Sequence, residues 1–415
     1  MNLLYNLVIN FYLLSIKLAS PFNKKADLWI QGRKNIFSRL KAAIGINEQI
    51  AWFHCASLGE FEQARQLIES FKDHFPEYKI LLTFFSPSGY QSRKDYDKAD
   101  YVFYLPMDTK SNARKFTHLV NPSLVFFIKY EYWYNFLAEL KKKNIPTFLV
   151  SAIFRNNQHF FRFYGGWFRE QLKHITYFFV QNEASLNLLK SINIDRAELT
   201  GDTRFDRVFK IAVESKEFPL IQVFKHDNHL LLSGSTWNED EEILLEFHKN
   251  FPKFKLIIAP HEVHDIRIQK LLKRSGNDAL LFSKANDISI RNAKILIIDS
   301  IGILSHMYKY ADIAYIGGGF GAGIHNILEA ATFGKPVFFG PNYQKFQEAR
   351  DLIDKGGAFT INNSEDLISH IRVLLDDKIK LTTAGSICKS YVNQNKGATK
   401  KILEYVRQFL SNNKD

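Results

Sequence analysis

The chain has 415 residues, 46% of them hydrophobic and 24% charged, enough to build full apolar cores in two or three domains. This excludes a disordered chain, a collagen and a disulfide scaffold, and the two cysteines, Cys55 and Cys388, lie far apart without C-x-x-C spacing, which fits a reducing, cytoplasmic setting. The formal net charge of +12 suits an anionic membrane face, phosphorylated substrates or nucleic acid, or solubility alone.

Residues 3–19 (LLYNLVINFYLLSIKLA) are apolar except for Asn6, Asn10, Ser15 and Lys17, near the minimum length for a spanning helix. The segment lacks the basic n-region and the small-residue cleavage site of a secretory signal. Lys24, Lys25, Arg33, Lys34, Arg39 and Lys41 follow it and would hold the rest of the chain on the cytoplasmic side. A membrane-associated helix over 1–20 is expected, the alternative being a helix packed on the first domain. No second long apolar run exists, which excludes a polytopic membrane protein.

From Ile50, strand-like runs alternate with amphipathic helices. The predicted strands are 50–54, 79–85, 101–106, 123–128, 146–152 and 175–181, with helices over 60–73, 109–120, 133–143 and 182–191. Lys141-Lys142-Lys143, the densest basic run, reads as a helix C-terminus, and no Lys/Arg block forms a nucleic-acid arm. A second series has strands at 229–235, 255–260, 279–282, 294–300, 313–319 and 336–341, and helices at 239–250, 264–274, 325–333 and 345–354. Continuous apolar strands between helices predict parallel sheets covered on both faces. The expected organisation is therefore the 1–20 helix, an α/β domain over 21–215, a second over 216–395, and a terminal helix over 396–415 that packs back on the first domain. Ligands are expected at the strand carboxyl ends, between two lobes.

The informative polar groups follow strands. Glu60, in His54-Cys55-Ala56-Ser57-Leu58-Gly59-Glu60, is either a helix-dipole partner or a general base. Glu131, in Lys129-Tyr130-Glu131-Tyr132-Trp133, is either ion-paired with Lys129 or a site residue. Arg204 is either fixed by Asp202 or Asp206, or a clamp for phosphate or carboxylate. In the second series, the glycines of Gly317–Gly323 would let the backbone close on a phosphate at a helix opening near His325 and Asn326. Glu329, one turn on, is either a ribose-hydroxyl acceptor or a solvent-facing charge. Asp95 and Asp97 form a D-x-D pair but read as surface, and no P-loop or metal-ligand motif occurs.

Taken in order, FHCASLGEFEQARQLI, TFFSPSGY, YLPMD, KYEYWYN, GDTRFD, GSTWNEDEE, APHEVH and GGGFGAGIHNILEAATFGKPVFFGP resemble the Kdo transferases, the 3-deoxy-D-manno-octulosonic acid transferases of lipopolysaccharide assembly. The resemblance runs over nearly the whole chain and is most specific at Ser57-Leu58-Gly59-Glu60 and at His325-Asn326 through Gly334-Lys335-Pro336. It implies a GT-B fold, two Rossmann-like lobes with parallel sheets facing a central cleft. It also implies inverting transfer of Kdo from CMP-Kdo to a lipid A precursor, with no cofactor and no metal, at the cytoplasmic face of the anionic inner membrane.

Residue by residue, the resemblance makes Glu60 the base and Glu131 a second catalytic carboxylate. It places Arg204 where the family has a lysine. The CMP-sugar contacts fall on Pro260 and His261, on Gly302, Ile303 and Leu304, and on Asn326, Ile327, Leu328 and Glu329. The family's Pro-Arg-His falls on Pro260-His261-Glu262, where the arginine is missing, and the acidic residue of the 302–304 loop is absent as well. The basic segment and the aromatic run Phe160-Phe161-Arg162-Phe163-Tyr164 with Trp167 and Phe168 would meet the membrane, the alternative for the aromatics being core packing. Two rivals are a sugar-nucleotide epimerase or hydrolase of the same fold without a lipid acceptor, and a non-catalytic membrane-associated binding protein.

Overall fold

A computed structural model describes residues 1–413. It resolves into two units, Met1–Arg207 together with the end of the chain from Lys396, and Val208–Asn395. The first unit holds seven parallel strands: β1 Ile50–Cys55, β2 Lys79–Phe84, β3 Tyr101–Tyr104, β4 Leu124–Ile128, β5 Thr147–Ala152, β6 Tyr177–Val180 and β7 Ala197–Leu199. Their order is β3-β2-β1-β4-β5-β6-β7, so chain direction across the sheet reverses between β1 and β4. Those two strands pair with Phe53 beside Phe126 and His54 beside Phe127.

Side chains alternate across each strand and feed a core on each face of the sheet. Trp52, Val125 and Phe127 belong to one cluster, with Trp52 tilted on Phe116 at 4.8 Å. Phe53 and Phe126 belong to the other and stack at 4.5 Å. The last helix, Ala398–Asn412, adds Ile402, Leu403 and Val406 to this second cluster. Asp206 holds its start by accepting the N–H groups of Gly397 and Thr399, and Tyr405 stacks on Tyr177 at 3.9 Å.

The second unit repeats the plan with β8 Leu230–Thr236, β9 Lys255–Pro260, β10 Ala279–Leu281, β11 Ile295–Ile297, β12 Ile313–Ile316, β13 Val337–Phe339 and β14 Ala358–Thr360. The order is β10-β11-β9-β8-β12-β13-β14, with the reversal between β8 and β12. In open parallel sheets the crevice at such a reversal is where ligands sit.

Several expectations need correction. The predicted helix over 325–333 is only Leu328–Ala331, so His325 and Asn326 lie in a loop. β7 and β14 were not expected, because three-residue edge strands carrying Glu198 or Thr360 show no apolar run. The basic segment after the first helix is itself helical, over Lys24–Gly32 and Ile36–Ala43. Arg33 within it is not a lipid contact. Its guanidinium is buried against Trp29 at 3.6 Å and donates to the carbonyls of Leu105 and Phe85 over 2.8 Å each, and burial lowers its pKa to about 9.

Candidate active site

In the first unit, β1 runs into Ala56-Ser57 and then helix Leu58–His74. The Ser57 hydroxyl accepts the Glu60 N–H over 3.4 Å, while Glu60 Oε2 accepts the N–H groups of Ala56 and of Ser57, the latter over 3.3 Å. This is a capping box, so the helix-end reading of Glu60 is met by the geometry. Ser-x-x-Glu before an apolar helix carries that signal in the sequence. The cap occupies one carboxyl oxygen. Oε1 has no hydrogen bond among the described residues and is free to take a proton. Burial, then the charge of Glu131, raises the Glu60 pKa to about 7, against the pull of the Ala56 N–H, Lys129 and the Ser57 N–H.

Glu131 ends β4 on a turn whose Lys129 has a left-handed backbone, φ 62°. It is 7% exposed, and its Oε2 takes the Trp133 indole N–H and lies 3.2 Å from His54 Nε2. His54 is fully buried, with Nδ1 2.9 Å from Thr83 Oγ1, and that hydroxyl also accepts the Trp52 indole N–H over 2.7 Å. A carboxylate at Nε2 requires Nε2–H, which makes Nδ1 the acceptor of the Thr83 hydroxyl. Thus Glu131 is fixed by His54 and Trp133, with Thr83 and Trp52 behind. Sequence reading missed this chain; its one trace is a histidine ending the apolar run IAWFH. Cys55 is no nucleophile, because burial and then Glu60, Glu131 and Glu62 push its thiol well up.

Arg204 is engaged by Asp202, whose carboxylate takes its backbone N–H over 2.9 Å, Nε over 2.8 Å and Nη2 at 2.7 Å. A guanidinium gripped this way is oriented, not roving. Asp95 and Asp97 are exposed, as expected.

In the second unit the expected contacts gather at the ends of β9, β8 and β12 and on the loop after β11. Pro260 ends β9. His261, which follows it, donates its N–H to the Thr236 carbonyl over 3.0 Å. His261 stacks on His325 at 4.3 Å, Trp237 lies over His261 at 4.9 Å, and Trp237 Nε1–H donates to His325 Nε2 over 3.2 Å. Burial, then His261, lowers the His325 pKa to about 4, so this ring is neutral at physiological pH. The Asn326 amide donates to Glu329 over 3.2 Å while its Oδ1 accepts the Leu328 N–H over 3.2 Å, so Asn326 and Glu329 do come together. Ile327 and Leu328 are buried behind them. Gly302, Ile303 and Leu304 cross the end of β8, where Leu304 and Tyr308 close on Gly234.

Four backbone donors of the glycine run are already engaged within the fold. The N–H groups of Gly317, Gly318, Gly321 and Gly323 are committed to Gly234, Asp240, Gly318 and Gly318. Its glycines also serve close approach: a Cβ on Gly317 would fall 2.4 Å from the Ser235 carbonyl and one on Gly319 2.6 Å from the Gly340 nitrogen. Asp240, overlooked in the sequence, is the buried knot beneath the turn. It takes N–H groups of Gly318 and Trp237 over 3.0 and 2.8 Å and the Tyr315 hydroxyl over 2.7 Å. No group of three or more His, Cys, Asp or Glu side chains among the described residues is placed to hold a metal ion.

Residues 32–207 match the family profile of 3-deoxy-D-manno-octulosonic-acid transferase (kdotransferase). The 3-deoxy-D-manno-octulosonic acid transferase of Haemophilus influenzae is 25% identical over 373 residues, covering 87% of each chain. That of Rickettsia bellii is 28% identical over 377 residues, covering 88% of this chain and 89% of its own. Among solved structures, a UDP-GlcNAc 2-epimerase from Neisseria meningitidis bound to UDP-GlcNAc has a TM-score of 0.59 at 17% identity, over 87% of this chain and 99% of its own. The calicheamicin glycosyltransferase CalG4 has a TM-score of 0.56 at 12% identity, over 89% and 100%. At such identities the structures speak for the fold alone, a GT-B architecture of two parallel α/β units. With the family profile on residues 32–207 and Kdo transferase relatives at 25% and 28% identity aligned over most of the chain, the first unit carries a Kdo transferase domain and the chain as a whole is similar to Kdo transferases.

Proposed function

We propose that this protein transfers Kdo from CMP-Kdo to a hydroxyl of a lipid A precursor, with inversion at the anomeric carbon and Glu60 as general base. The observation that carries the reading is the carboxylate pair at the β1/β4 reversal, a half-buried Glu60 beside a buried Glu131, in which Glu60 is held near pKa 7 with one oxygen unengaged. A sugar hydroxyl is a poor nucleophile, and a carboxylate of that pKa accepts its proton effectively at neutral pH. Glu131, fixed by His54 and Trp133, tunes Glu60 through its charge. The Arg204 guanidinium, oriented by Asp202, is suited to an acidic sugar or phosphate.

On the donor side, we assign CMP to Pro260, His261, the Gly302–Leu304 loop and Asn326 to Glu329. Glu329 has the chemistry to accept ribose hydroxyls, and the neutral His325 and His261 pair offers a flat face to a base. The departing CMP is a phosphate monoester that fixed donors can stabilise.

Membrane attachment at the cytoplasmic face of the inner membrane is part of the proposal. Helix Asn2–Ala19 is long and apolar enough to cross a bilayer. Its inner stripe is nevertheless docked: Tyr5, Ile9, Leu13 and Ile16 pack with Trp29, Met107 and Phe85, and the Asn135 amide donates to Asn6. The opposite face exposes Leu3, Leu7, Val8, Phe11 and Leu18, with Phe11 71% exposed. A helix docked by one stripe from Tyr5 to Ile16, with one bare apolar face and Lys24 and Lys25 beyond its end, lies in the interface rather than spanning it.

The test is CMP release from CMP-Kdo by full-length protein, with and without lipid A precursor, and the mass and anomeric configuration of the lipid product. Lipid-dependent release with a Kdo-bearing product is expected. Release indifferent to lipid would instead make the enzyme a hydrolase.

A further inference from the structure

Tyr130 and Tyr132, the residues on either side of Glu131, both line a pocket of about 570 Å³ in the first unit. Trp167, Arg155, Gln171 and Tyr5 line it too. Two of its lining residues carry polar atoms that are left over: the Tyr132 hydroxyl and Gln171 Oε1 are buried and have no hydrogen-bond partner among the described residues. Native interiors seldom leave such atoms unmatched, and a matched pair of a donor and an acceptor calls for a ligand that offers both. Sugar hydroxyls and amides do so; a purely aliphatic ligand does not. The aromatic rings supply faces on which a pyranose can stack. Arg155 is exposed at the wall, its guanidinium 5.7 Å from the Tyr130 ring centre, and offers five N–H donors in the planar fork that fits phosphate.

One wall belongs to the first helix. Tyr5 is pinned by its hydroxyl to Asp108 over 2.5 Å and lies edge-on to Tyr134 at 5.5 Å. Trp167 donates its indole N–H to Asn2 over 2.5 Å. The pocket therefore opens beside a helix whose outer face is bare leucine, valine and phenylalanine. A molecule held there has a polar head among aromatic and cationic groups and apolar chains within reach of the helix surface.

We propose that this pocket is the subsite for the phosphorylated sugar headgroup of the lipid acceptor, with Arg155 on its phosphate and its acyl chains leaving over the exposed face of helix Asn2–Ala19. The proposal rests on the transferase reading only for which amphiphile is bound. Placing the headgroup on Tyr130 and Tyr132 sets it on the segment that carries Glu131, whose charge acts on Glu60.

The experiment titrates full-length protein by calorimetry with three probes. They are a fully deacylated phosphorylated glucosamine disaccharide, its dephosphorylated counterpart, and inorganic phosphate. Wild type should bind the first best. Arg155→Ala, at an exposed position, should weaken that binding about tenfold and erase the preference for the phosphorylated probe. Tyr132→Phe should weaken both disaccharides a few-fold, and CMP affinity should stay unchanged in both variants. No disaccharide binding by wild type, equal affinity for inorganic phosphate alone, or unchanged affinity in both variants would each overturn the subsite. Transfer assays run alongside separate the two ideas. Variants that transfer with unchanged acceptor KM sink the pocket and leave the transferase standing. Specific headgroup binding lost in Arg155→Ala, with no transfer by wild type, supports the pocket and sinks the transferase.

Discussion

Glu131, clamped by His54 and Trp133 at the end of β4, raises the pKa of Glu60 at the end of β1. Burial makes the larger contribution, and the neighbouring charge adds to it because two close carboxylates resist ionising together. The positioning is topological: β1 and β4 are adjacent in the sheet although 68 residues separate Ile50–Cys55 from Leu124–Ile128 by nearest ends.

The pH profile follows from this pair. A base must be unprotonated to act, so kcat/KM for transfer should rise with pH through about 7 and level off above it. Glu131→Gln removes the like charge, so the inflection should move to lower pH. An inflection that does not move would assign the titration to another group. Stability runs the other way. The Glu60 contribution is full below its ordinary value near 4.5 and is lost as pH rises through about 7. Thermal melts should show Glu60→Gln gaining on wild type between pH 6 and pH 8.

The capping role and the base role of Glu60 separate in a pair of variants. The amide that Glu60→Gln introduces keeps an acceptor for the Ala56 N–H, so this variant should fold normally and bind CMP, while turnover drops roughly 100- to 10,000-fold. Glu60→Ala should lose turnover equally and, with the cap gone, about 1 kcal/mol of stability in a urea titration. Turnover of Glu60→Gln within about threefold of wild type would leave Glu60 as a cap only.

What the sequence made legible here was what repeats locally. Apolar strand runs such as LVFFI and KLIIAP announced two parallel sheets, and Ser57-Leu58-Gly59-Glu60 announced a strand-to-helix turn. What it hid depends on partners distant in the chain. His54 becomes the support of Glu131 only because β1 lies between β2 and β4. Gly318 spends its N–H on Asp240, 78 positions away, so a donor that reads as part of a phosphate cradle is used inside the fold. Arg33 looked like a surface cation until Trp29, Leu105 and Phe85 closed around it.

Donor binding should respond to the Asn326 and Glu329 couple. Glu329→Ala and Asn326→Ala should each weaken CMP about tenfold in calorimetry, the scale of a hydrogen bond to a charged group, with headgroup affinity unchanged. Unchanged CMP affinity in both would move the nucleotide off this pair.

Gly319→Ala tests whether the glycine run packs. The added methyl would press on the Gly340 backbone, which cannot swing aside as a side chain can. A loss of roughly 1–3 kcal/mol in urea unfolding is expected, the cost of overpacking. Wild-type stability would mean that β12 and β13 part easily at their ends.

The first helix makes two separable predictions, because its two faces do different work. Ile9 is buried against the first unit, whereas Leu7 and Phe11 face outward. Phe11→Glu with Leu7→Glu should leave the melting temperature near wild type and abolish most flotation with anionic liposomes, since it charges only the exposed face that the proposal sets against lipid. Ile9→Glu should lower the melting temperature by burying an unpaired carboxylate against Trp29 and Met107. Removing residues 1–20 should do both, stripping Asp108 of the Tyr5 hydroxyl that helps hold its carboxylate while burial raises that group to about 6. What membrane binding the truncated protein keeps should vanish in high salt, because only the lysines beyond the helix would remain and salt screens them. A spanning helix predicts a different pattern. Its Ile9 would sit in lipid beside Phe11, so the two sites would fail together in flotation and neither would move the melting temperature of the folded unit. Parallel flotation and melting curves on the two variants therefore decide whether the helix lies in the interface or crosses it.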